Sequence, residues 1–117
     1  MEDPQPKTPI VDETLAQLDS SSDALDAIIG NASTDMDTYR AAEEQKGEIE
    51  HRISTLENLQ LARDTDAMEA LVPQLKQAKA DLDAVVATIC KASDLVDCVT
   101  KLLKVVDTLV AAAKAVA

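Results

Sequence analysis

The sequence predicts an all-α protein, an antiparallel four-helix bundle whose helices run up, down, up and down, and three observations lead there. From Ala67 onward an apolar residue recurs every three or four positions, through Met68, Leu71, Leu75, Ala78, Leu82, Val85, Ile89, Ala92, Val96, Val99, Leu103, Val106, Val110 and Ala113, without slipping phase. The 117 residues include only two Gly and four Pro, too little turn material for a sheet protein. There is no Trp or Phe and one Tyr, so the core must come from Leu, Val, Ile, Ala and Met, the residues of interhelical seams.

Taken in order, residues 1–8 read as a disordered arm and 9–117 as one helical domain, since a chain of this length supports a single core. Thr8 followed by Pro9 is an N-cap with proline at the first helical position, where its missing N–H costs nothing. The first helix then runs from about Pro9 to Ile29 on a stripe of Val11, Leu15, Leu18, Ser22, Leu25 and Ile29, with Gly30-Asn31 as its stop. Ser20-Ser21-Ser22 is its weak point, because hydroxyls enter the seam. Ser33 or Thr34 is expected to cap the second helix, whose stripe is Tyr39, Ala42, Lys46, Ile49, Ile53, Leu56 and then Leu59 or Gln60. Gly47 weakens that helix internally.

Asp64, Thr65 and Asp66 are competent caps for a third helix reaching about Cys90, and Pro73 should kink or restart it near Val72 to Gln74. A break with Ser93 or Asp94 as cap gives four helices. The alternative is three helices, the last a continuous coiled-coil helix of about 50 residues and about 75 Å at 1.5 Å per residue. The final segment carries a second seam, Leu95, Cys98, Leu102, Val105, Leu109, Ala112 and Val116, so it is apolar over more than half its circumference and must be covered.

Charge is unevenly placed. The formal net charge of −11 lies wholly in residues 1–66, with sixteen acids against five bases, whereas six acids and six bases follow. An acidic chain without Lys or Arg clusters excludes nucleic-acid binding. The N-terminus lacks the apolar core of a secretory signal, and the most apolar stretch, Leu102 to Ala117, is interrupted by Lys104, Asp107 and Lys114 and falls short of the ~20 residues of a membrane span, so a cytoplasmic location is expected. In a secreted form Asn31-Ala32-Ser33 would be a glycan acceptor.

Chemistry-bearing patterns are sparse. Glu48 and His51 have the Glu-x-x-His spacing of di-iron bundles, but His51 is the only histidine, so one subunit cannot complete such a site, and the imidazole is expected on the solvated face. Cys90 and Cys98 form no metal pattern, and on one unbroken helix they would stand about 12 Å apart, beyond the roughly 7 Å reach of a disulfide. A tight corner at Lys91 to Asp94 would bring them within reach of each other; the preferred reading is free thiols filling apolar space. No phosphate loop, nucleophile elbow or Ser/His/Asp set is present, and no cofactor is expected. These features point to a non-enzymatic interaction or structural protein that self-associates or docks on a protein partner through Leu95, Val99, Leu102, Val105, Val106 and Leu109. The alternative is a lipid- or membrane-surface-associating helical protein, although the polar side of the last helix lacks the basic face and aromatic anchors usual for that role.

Overall fold

The computed structural model describes residues 8–31, 33–59, 64–88 and 91–115. Four helices account for nearly all of them: α1 (Pro9–Ile29), α2 (Met36–Glu57), α3 (Asp66–Val86) and α4 (Ala92–Lys114). The all-α four-helix architecture is therefore the one the heptad pattern predicts, and the break after α3 replaces the single long helix.

Each start has a local cause. Thr8 Oγ1 accepts the N–H of Val11 at 3.4 Å, and Thr65 Oγ1 accepts that of Met68 at 3.2 Å, so α1 and α3 open on the same cap. α2 is capped by Asp35, not by Ser33 or Thr34 as expected, its carboxylate taking the N–H of Thr38 at 2.7 Å. The two earlier hydroxyl residues are used in the turn instead: the Thr34 hydroxyl donates to Ile28 O at 2.8 Å, and Ser33 N–H donates to Asn31 Oδ1 at 2.9 Å. α3 stops at Val86, earlier than expected, and α4 starts with Lys91 in the cap position and no side-chain cap bond. Ser93 and Asp94 fall inside its first turn, where the Asp94 charge still suits the helix dipole. Pro73 neither ends nor restarts α3; it sits on the exposed side, where water can replace the missing donor.

The hairpins α1α2 and α3α4 each pack internally, and they join through α1 against α3 and α2 against α4. Glu13 pairs with Lys76 at 3.5 Å, and Ala27 and Ile28 line one cavity with Val86 and Thr88, so α1 and α3 run in the same direction. Arg52 meets Asp107, and Gln45 shares a surface cleft with Thr100, which makes α2 and α4 parallel neighbours too. Direction thus alternates along the chain while the side-by-side pairs between hairpins are parallel, and residues 58–65 connect α2 to α3.

A shift of 57 positions superposes the two hairpins in register. Cap Thr8 becomes cap Thr65, Gln17-Leu18 becomes Gln74-Leu75, and Leu25-Asp26-Ala27 becomes Leu82-Asp83-Ala84. Val11 and Met68, Leu18 and Leu75, Leu25 and Leu82, Ala42 and Val99, Ile49 and Val106, and Leu56 and Ala113 correspond in this way, and all twelve are buried to 1% exposure or less. One helical hairpin pattern therefore occurs twice.

The expected stripes are largely the buried ones. On α1, Val11, Leu18, Ser22 and Leu25 are buried, with Leu15 and Ile29 half-buried. Ser21 Oγ donates to Gln17 O at 2.8 Å and Thr14 Oγ1 to Ile10 O at 2.8 Å, so these two buried hydroxyls are satisfied by their own helix. On α2, Ala42, Ile49 and Leu56 are buried and Tyr39, Lys46 and Ile53 half-buried; Leu59, just past its end, is buried too, and Gln60 lies outside the described residues. Gly47 is exposed, and a Cβ built on it meets nothing within 4 Å. Gly47→Ala should accordingly raise unfolding free energy by about 0.5–1 kcal/mol, read from thermal or urea denaturation, through reduced backbone entropy of the unfolded chain.

Candidate functional site

The residues that sequence reasoning assigned to docking are mostly inside the bundle. Leu95, Val99, Leu102, Val106 and Leu109 are at 0% exposure, and only Val105 is half-buried. Both seams of α4 are consumed by its own chain: Val99, Leu103, Val106, Val110 and Ala113 from the first and Leu95, Leu102 and Leu109 from the second are buried. Lipid contact through these seams would require the bundle to open. Met36, 61% exposed, is the one strongly exposed large apolar side chain among the described residues.

What remains of the expected surface is a shallow groove of about 380 Å3 between α3 and α4, with Pro73, Ala78 and Val105 as apolar floor and Gln74, Gln77, Asp81 and Lys101 around it. Lys101 is exposed and makes no ion pair, while Asp81 accepts only the Gln77 amide, at 2.9 Å. Near its end Cys98 places Sγ 3.9 Å from Asp81 O. Partial burial pushes the Cys98 thiol above its usual pKa, which keeps it protonated at neutral pH and removes the thiolate a nucleophile needs. It is a free, half-buried cysteine, as expected; Cys90 lies outside the described residues.

Elsewhere the polar groups fasten helices. Arg52 donates to both Asp107 oxygens, at 3.0 and 3.1 Å, and to Glu48 at 2.9 Å, and the Asp107 carboxylate foremost holds the guanidinium above its ordinary pKa. Lys46 reaches Asp26 at 2.7 Å across the α1/α2 hairpin, and that contact raises its pKa. His51 is exposed, and its expected companion Glu48 is engaged by Arg52. Among the described residues no group of three or more His, Cys, Asp or Glu side chains is placed to hold a metal, and no helix is long and apolar enough to cross a membrane.

A second concavity, about 240 Å3, lies at the end of the bundle between the α1–α2 turn and the end of α3. Its buried Thr38 hydroxyl makes no well-formed hydrogen bond and lies beside the Asp35 carboxylate. That carboxylate is held below its usual pKa chiefly by the Thr38 N–H. These groups form the cap of α2. No family model, curated protein or solved structure matches the chain.

Two measurements check this assignment of core and cap. Leu102→Ala should cost about 2–5 kcal/mol, because it opens a cavity at a fully buried position, whereas Val105→Ala should cost less than half as much. Asp35→Ala should lower the thermal midpoint at neutral pH. Because the native pKa is depressed, the cap's stabilisation is fully present above the unfolded-state value and is lost as pH falls through the native one, so the difference between parent and variant should shrink on acidification below the ordinary carboxylate range.

Proposed function

We propose that this chain acts by binding rather than by turnover, as a helical-bundle interaction module whose contact surface is the outer face of the α3α4 hairpin. The observation that carries this reading is the groove between α3 and α4, where exposed Pro73 and half-buried Val105 flank buried Ala78 and leave an apolar floor open beside Asp81 and Lys101. Position by position, the register shift supports it. Val105 corresponds to Glu48 and Lys101 to Glu44, and α2 folds into the same hairpin with those acids. Val105 packs one side on the core, but the hairpin pattern does not demand an apolar residue there, and its open side joins Pro73 in an apolar floor of the kind a contact site uses.

The test is the size of the native protein in an extract of its own cells. On gel filtration the chain should elute in an assembly larger than one chain, and Val105→Glu should shift it to the monomer position with an unchanged helical circular dichroism spectrum. Elution of the native chain as a monomer, or an assembly indifferent to Val105→Glu, would overturn the reading.

A further inference from the structure

We infer that the occupant of the α3/α4 face is a second copy of this chain, paired with it about a two-fold axis; the inference rests on the binding role proposed above. Charge decides which faces of two copies can meet. The net −11 is carried by residues 1–66, and the remainder is neutral, so approach through α1α2 sets acidic surfaces against each other and approach through α3α4 does not. Exposed Asp12, Asp19 and Asp23 of α1 have no ion-pair partner in the structure to offset this.

The groove is also self-complementary. An isologous interface needs each patch to match itself, so any charge on one side must be met by its opposite on the other. Asp81 stands on the α3 side and Lys101 on the α4 side of the apolar floor. A two-fold axis along the hairpin lays α3 of one copy over α4 of the other. Asp81 then faces the partner's Lys101 twice, and Val105 and Pro73 of the two copies close the centre. Neither Asp81 nor Lys101 makes an ion pair in the single chain; Asp81 has only the Gln77 amide. The shallow groove and small apolar floor fit a weak, reversible dimer at the low end of interface sizes.

The experiment is sedimentation equilibrium of the purified full-length chain up to about 0.1 mM, where a dissociation constant in the micromolar range is resolved. A reversible monomer–dimer equilibrium is expected. Val105→Glu should weaken it at least about tenfold with the helical spectrum retained. Lys101→Asp should weaken it severalfold, and adding Asp81→Lys to the same chain should restore it, because the swapped charges still oppose across the two-fold. Lys101 is exposed, so its variants keep the test valid should Val105→Glu unfold the domain. A monomer at every concentration, or a dimer unmoved by Lys101→Asp, overturns the inference. If the pure chain is monomeric while the cell extract shows an assembly sensitive to Val105→Glu, only the identity of the partner is wrong and the binding role stands; monomers in both remove the two together.

Discussion

The two-sided apolar surface of α4 is the constraint on which the rest of the structure depends. A helix with Leu95, Val99, Leu102, Val106, Leu109 and Ala113 all fully enclosed needs neighbours on two sides, and it has them: α3 folds back along one side and α2 lies parallel along the other. α1 then completes the ring by packing on both α2 and α3. This explains why two hairpins of one pattern are not equivalent in the finished bundle. Where α4 has Leu102, Leu103 and Leu109, the matching positions of α2 have Gln45, Lys46 and Arg52, and the cationic pair among these reaches out to make ion pairs instead of filling a core.

Those ion pairs also set alignment. Lys46 with Asp26 registers α2 on α1, Arg52 with Asp107 registers α2 on α4, and Lys76 with Glu13 registers α3 on α1. Each is at least partly exposed, so each contributes little stability by itself. Their distribution matters more, since apolar seams of similar side chains tolerate sliding by a turn, whereas a charge fixed to one partner on each of three interfaces favours one register. Two cations of the acidic first half, Lys46 and Arg52, are thereby committed inside the molecule, which leaves its exposed acids in excess.

Periodicity made the helices and most of the core legible, because a 3.6-residue repeat records which side of a helix is covered irrespective of what covers it. It found Leu18, Leu25, Ile49, Leu75 and Leu82 correctly for that reason. It placed Val105 with its buried neighbours Leu102, Val106 and Leu109, because position on the stripe says nothing of where the neighbouring helix ends its coverage. Caps were less legible where candidates crowd: Ser33, Thr34 and Asp35 all qualify, and the choice of Asp35 followed from Thr34 being drawn to the Ile28 carbonyl, a contact six residues away. The neighbour order was not legible at all from loop lengths, since short turns specify the hairpins α1α2 and α3α4 but leave open how one hairpin lies on the other.

The repeated hairpin is faint in the sequence because few identities carry it; burial, not identity, makes it evident. Its value lies in the comparison it permits within one chain. Positions at which both halves bury an apolar residue, such as Leu25 with Leu82 or Ile49 with Val106, are those the hairpin needs in order to close. Positions at which the halves differ fall into two kinds. At Leu102 against Gln45 the apolar member is buried, so the difference reflects the deeper place of α4. At Val105 against Glu48 the apolar member is half-buried, and the side of it that borders the open groove is accounted for neither by the hairpin pattern nor by its packing on the core. A residue left over after both folding requirements are subtracted is where selection for contact with another molecule is most economically sought.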